Sequence, residues 1–338
     1  MEALSNKSEQ IRDRSVDVMK GILVIQMVLC HCIQFFGNES WPIQKQICDY
    51  INLTTFSGFL FTFGFACNYA YFSKSFIKAV PRMIKTAVKM LLAFYISSIC
   101  YIAFVEFDYY DPRVPLQVIR LEKYAGWSEF LASFFAIMLI GAALFVVFQR
   151  INVWILAGIG VIGFALTFLP YSRITNSWLA LFVGSRHYIT FPVFQYLFYF
   201  AAGVWLCKEG MKSWKWILLA AFLLSAPEFV HYFRTGGLSG RFPPDGAFVF
   251  GASIVVFLYY VLSRKLSDMN VRILSVIGED SIFYLLFTNI IIFAFAGSKY
   301  RQIEIKFAIK FYVLLMLAAW FFQHTVSRKR YENHMNGV

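Results

Sequence analysis

Apolar residues in this chain come in long runs rather than at the spacing of a surface helix or a half-buried strand. A helix needs about 20 predominantly apolar residues to cross a bilayer. Ten such runs are centred on Val16 to Phe36, Leu53 to Phe72, Met83 to Val105, Phe130 to Phe148, Ile151 to Leu169, Tyr188 to Cys207, Trp214 to Val230, Ala247 to Leu262, Ile273 to Ala296 and Ile305 to Val326. The pattern predicts an all-α polytopic transmembrane bundle of about ten spans. Residues 16–326 are expected to form one membrane domain, with 1–15 as a cytoplasmic N-terminal segment and 327–338 as a cytoplasmic tail. The first run is too long for a signal-peptide h-region and no small-residue cleavage pattern follows it, so it is expected to stay as the first span.

The polar residues inside that first run matter most. Arg14 to His31 reads RSVDVMKGILVIQMVLCH. Lys20 and His31 are eleven residues apart, which on an α-helix is about 20° from eclipsed and about 16 Å along the axis. Asp17 lies three residues from both Arg14 and Lys20 and can pair with either. Lys20 is close enough to the helix start to snorkel to the headgroups, so a ladder at a cytoplasmic helix end explains it as well as chemistry does. His31 has no such explanation. An ionisable group inside a span is costly, faces a cavity or a partner, and marks function by default.

Composition and charge sharpen this picture. The chain of 338 residues is 59% hydrophobic, 20% aromatic and 15% charged, with a mean hydropathy of +0.61. No polar stretch is long enough to fold as a soluble domain. The net charge of +12 does not point to nucleic acid, because the bases cluster in alternate loops. Lys74, Lys78, Arg82, Lys85, Lys89, Arg150, Lys208, Lys212, Arg264 and Arg328 fall on one side, and bases and acids balance on the other. By the positive-inside rule both termini are expected to be cytoplasmic and His31 in the outer half of its span; the membrane is expected to be a bacterial inner membrane. The six cysteines lack paired spacing and read as packing residues rather than metal ligands or a disulfide framework.

Other candidates are weaker. Asn68, with Gly58 and Gly64, gives the second span a polar group and small packing residues. The stripe at Lys74, Lys78, Arg82, Lys85 and Lys89 suits anionic membrane lipids or a soluble polyphosphate ligand. Arg186 and Trp178 bring a cation and an aromatic ring to the outer face, where they can hold a sugar or anchor the interface. Motifs for nucleotide hydrolysis, dinucleotide redox, elbow-serine hydrolysis and zincin proteolysis are absent from the sequence. A transporter or flippase for a polar or lipid-linked solute is the competing class, although no inverted repeat is evident.

The segment DVMKGILVIQMVLCH resembles the first helix of the acyltransferase 3 family of integral membrane acyltransferases, in which a basic residue, usually Arg, is followed by ten residues and then His. FSGFLFTFGFACNYAYF is similar to that family's second span, PRMIK to its cytoplasmic basic pair, and IGEDSIFYLLFTN to the opening of its terminal span, with Thr288 where many relatives carry His. The resemblance implies O-acylation, most simply O-acetylation, of a hydroxyl on a cell-surface polysaccharide or lipid-linked saccharide. Acyl-CoA, expected as acetyl-CoA, is the donor substrate, and no permanent cofactor or metal is implied. On this reading His31 is the general base and Asp17 orients Lys20. Lys20, Arg82, Lys85 and Arg14 hold the donor phosphates, and Arg186, Trp178 and Asn68 hold the acceptor.

Overall fold

The computed structural model describes residues 13–38, 42–108, 110–297 and 304–335, with side chains to 325. Most of the N-terminal segment 1–15 and the end of the tail therefore lie outside the described residues. Among the described residues fifteen α-helices follow one another: α1 Arg14–Phe36, α2 Pro42–Cys67, α3 Phe76–Tyr101, α4 Arg113–Ile119, α5 Glu129–Ala143, α6 Phe145–Gln149, α7 Val153–Leu166, α8 Ser177–Val183, α9 Val193–Glu209, α10 Trp214–Thr235, α11 Gly246–Gly251, α12 Ser253–Asp268, α13 Arg272–Glu279, α14 Ser281–Ala296 and α15 Ile305–Met335. No strand occurs among the described residues. The protein is an all-α polytopic membrane protein.

Among the described residues six helices are long and apolar enough to cross a membrane, or seven if α13 and α14, bent by 77° at their break, form one span. The remaining three runs are also helical but shorter. α5 has 15 residues before it breaks into α6, α7 has 14, and α9 has 17. A polar start signal sets the start of α7. Asn152 accepts from the N–H groups of Trp154 and Ile155, each at 3.0 Å, so α7 cannot begin earlier. The last helix runs past Val326 to Met335, so the segment expected as a tail begins as a continuation of the final span.

α1 is the axis of the bundle and touches α2, α12, α13, α14 and α15. It starts at Asp13, whose carboxylate accepts from the Ser15 N–H at 2.9 Å. Its closest neighbour is reached through glycines. A Cβ on Gly278 would lie 1.8 Å from the Asp17 carbonyl oxygen, and one on Gly21 would lie 2.1 Å from that of Leu274. Small residues at a helix crossing let backbones meet where no hydrophobic effect drives association. The outer surface is apolar, with Ile77, Trp154 and Phe233 all more than 80% exposed. Such continuous apolar exposure is the surface a bilayer covers. All six cysteines are free.

Candidate active site

Two cavities lie one after the other along α1. The inner one, about 340 Å3, is lined by Lys20, Thr62, Ala66, Cys67, Tyr71, Met90, Leu131, Phe134 and the helix break from Glu279 to Phe283. The outer one, about 380 Å3, is lined by His31, Gln34, Asn52, Thr55, Tyr101, Glu106, Tyr124, Trp127, Glu129 and Arg241. Met27, Phe59 and Phe130 border both. Three apolar side chains are therefore shared by the cavity at Lys20 and the cavity at His31.

In the outer cavity the imidazole is held on two sides. His31 Nδ1 is 2.8 Å from Asn289 Oδ1 on α14. An amide oxygen only accepts, so Nδ1 carries the proton and donates, which leaves Nε2 as the nitrogen with a free lone pair. The far end of the amide fixes its orientation, because Asn289 Nδ2 donates to Ser128 Oγ at 3.3 Å, and Ser128 is in turn hydrogen-bonded to Ser97 of α3. Asn289, Ser128 and Ser97 are fully buried. Trp127 packs edge-on against the imidazole with ring centroids 4.9 Å apart, and Phe35 backs the indole at 4.5 Å. Trp127 adopts φ 61°, a conformation that costs a residue with a Cβ and is retained where the surroundings impose it. The preceding Gly126 has no room for a Cβ, which would sit 2.2 Å from the Tyr101 ring. The turn thus presses Trp127 onto His31.

At the inner cavity Lys20 pairs with Asp17 at 3.4 Å, the lysine 19% and the aspartate 3% exposed. Asp17 is buried and can hold Lys20 towards the cavity. Arg14 is exposed and makes no ion pair among the described residues. Arg82 stacks 6.0 Å from the ring of Tyr71, whose hydroxyl is bonded to Thr86 at 2.8 Å. Since Tyr71 lines the cavity, Arg82 stands at its rim. Lys85 lies further along the exposed face of α3 and does not line the cavity. Glu279 and Asp280 also border it, and Asp280 accepts from Gln323 Nε2 at 2.8 Å. Two carboxylates beside Lys20 make the interior unsuited to a polyphosphate, while its largely apolar walls suit a neutral chain.

The structure does not bring every sequence candidate to these cavities. Arg186 and Trp178 are exposed and line neither. Asn68 is buried and donates to Cys207 Sγ at 3.2 Å, which places it where the π-helical turn Asn68–Phe72 after α2 meets α9. Sequence reasoning attended to Thr288, whose hydroxyl returns to the Tyr284 carbonyl at 2.7 Å, and missed Asn289 beside it. The available signal was an amide in the middle of the otherwise apolar run IFYLLFTNIIIFAFA. Trp127, Ser128 and Arg241 were also missed, because nothing local marks a loop residue that will face a histidine about 100 positions away or more.

The family model described as heparan-alpha-glucosaminide N-acetyltransferase, catalytic, matches residues 12–226. The chain belongs to this family. It is therefore a membrane acetyltransferase. The sequence resemblance to acyltransferase 3 reached the reaction class, but the family that matches is the heparan-alpha-glucosaminide N-acetyltransferase catalytic one. No curated protein and no solved structure gives a match. The residues matched to the family include Lys20, His31 and Trp127 to Glu129, and end within α10, so Arg241 and Asn289 lie beyond them.

Proposed function

We propose that the chain transfers an acetyl group from acetyl-CoA, bound on the cytoplasmic side, to a saccharide or lipid-linked saccharide acceptor on the outer side, with residues 16–326 acting as one catalytic unit. The observation that carries this reading is the pair of cavities meeting at Met27, Phe59 and Phe130, one beside Lys20 and the other beside His31. A cavity of about 340 Å3 is at the small end of ligand sites, so it takes the acetylated pantetheine arm and leaves the nucleotide outside. Arg82 and Lys85 then meet the phosphates outside it, and Lys20, paired with Asp17, lines the path of the arm.

The thioester carbonyl reaches the constriction and the acceptor occupies the outer cavity. His31 Nε2 takes the proton of the acceptor as its oxygen attacks the carbonyl carbon; the tetrahedral intermediate collapses and CoA leaves as the thiolate. Asn289 holds the tautomer that makes Nε2 basic, and Trp127 holds the ring. A positioned general base is worth roughly 10²- to 10⁴-fold in rate. The acceptor atom in this reading is a hydroxyl, and the family's name favours an amine as the second reading. Alkali separates them, since an O-acetyl ester is released and an N-acetyl amide survives.

Thermal unfolding of the purified protein tests the donor site. A ligand that binds only the folded state stabilises it by about 2.7 kcal/mol at a hundred times its dissociation constant. Acetyl-CoA should raise the midpoint, Lys20→Gln and Arg82→Gln should each reduce the rise, and His31→Ala should keep most of it. Absence of any rise with acetyl-CoA or longer acyl-CoAs, together with stabilisation by a free sugar, would favour a transporter.

A further inference from the structure

The outer cavity contains a cation that the mechanism above does not use. Arg241 lines it together with His31. Its guanidinium lies 4.7 Å from the Phe242 ring and 5.5 Å from the Phe191 ring, two aromatic contacts that fix its position. Its Nε is buried with no hydrogen-bond partner, and no carboxylate pairs with it among the described residues.

Suitable acids are close in sequence, and each is engaged elsewhere. Glu228 accepts from the Ser239 N–H at 3.1 Å and contacts its hydroxyl. Asp245 accepts from the Gly240 N–H at 2.8 Å and caps α11 through the Phe248 N–H at 2.8 Å. These two carboxylates pin both ends of the loop that carries Arg241. Within the cavity Glu106 is paired with Lys123 at 2.6 Å, and Glu129, buried at the start of α5, lies within electrostatic reach of Arg241 but forms no ion pair with it. A buried donor without a partner is costly, and a guanidinium with its donors free presents a fork shaped for an oxyanion.

We infer that Arg241 recognises a carboxylate or phosphoryl group on the acceptor saccharide, beside the atom that His31 deprotonates. Arg241 is then a specificity-determining residue, and the acceptor is a saccharide carrying a uronic-type acid or a sugar phosphate. This rests on the acetyltransferase reading above.

The test uses the full-length protein in detergent with three probes: D-glucuronate, α-D-glucose 1-phosphate and the neutral methyl α-D-glucoside. Binding is read by thermal shift and by titration. At least one anionic probe should bind wild type roughly 10- to 100-fold more tightly than the neutral one, the range a charge-assisted contact supplies. A preference for glucuronate assigns a carboxylate and a preference for glucose 1-phosphate assigns a phosphoryl group. Arg241→Gln should remove the preference, and Arg241→Lys should restore part of it. Stabilisation by acetyl-CoA, measured on the same samples, reports whether each variant is folded. Equal binding of charged and neutral probes, no binding of any probe, or an anion preference that survives in Arg241→Gln overturns the inference. Failure of acetyl-CoA to stabilise wild type instead overturns the donor reading, so the two failures are distinct.

Discussion

Replacing Asn289 by leucine removes the acceptor that holds the His31 tautomer and keeps the branching and the number of heavy atoms. The hydrogen bond it deletes is 2.8 Å long and faces a fully buried amide. A neutral hydrogen bond contributes about 0.5–1.5 kcal/mol net, and leaving one buried donor unmatched costs about 1–3 kcal/mol. In Asn289→Leu the productive state of His31, with the proton on Nδ1, bears that cost. At 1.4 kcal/mol per factor of ten, kcat/KM should fall by roughly 5- to 150-fold. His31→Ala should lose more, roughly 10²- to 10⁴-fold. Asn289→Asp keeps an acceptor for Nδ1–H and should retain more activity than the leucine variant. The assay is transfer of radiolabelled acetyl from acetyl-CoA to acceptor in native membranes, with stabilisation of each purified variant by acetyl-CoA as the check on folding. Wild-type kcat/KM in Asn289→Leu, with the fold intact, would refute the tautomer argument.

Three further perturbations test other parts of the account. Alanine at Gly278 or Gly64 forces a Cβ to within 1.8 or 2.0 Å of a carbonyl oxygen on the facing helix, and each should cost about 1–3 kcal/mol in unfolding experiments, whereas Gly158→Ala, which meets open space, should not destabilise. Met27→Trp fills the constriction between the two cavities and should lower transfer by about 100-fold, the scale of a misplaced reacting group, while stabilisation by acetyl-CoA persists. A reporter fused after Val338 should be cytoplasmic and a tag within residues 106–129 should be reached from outside; the reverse arrangement would put Lys20 on the wrong side for cytosolic acetyl-CoA.

Much of the fold was legible because the signal is local. Runs such as Ile305 to Val326 must be helical to satisfy their backbone in lipid, and each of the ten runs is largely helical. Span length was less legible. Asn152 and the break at Leu144, which shorten α7 and α5, depend on caps and packing as well as apolar content. In the site, His31 and Lys20 stood out because ionisable groups in an apolar run are conspicuous, and their shared face follows from helix geometry. Asn289 and Arg241 were hidden for different reasons. The amide lies 258 positions from its partner, and Arg241 is one cation in a polar loop whose acids look like its natural partners until the structure shows them holding backbone and hydroxyl groups instead. Arg186 and Trp178 carried the right chemistry on a surface that the bundle turns away from the cavity.

On the proposed function the acetyl group passes from a donor on one side of the membrane to an acceptor on the other through the site at His31. Sealed inside-out membrane vesicles containing the wild-type chain or His31→Ala, supplied with [14C]acetyl-CoA from the exposed cytoplasmic face, test it directly. The account predicts label in a saccharide fraction sealed within the wild-type vesicles, an equal amount of free CoA outside, and neither with His31→Ala. Label confined to the exposed face, or equal labelling with His31→Ala, would contradict it.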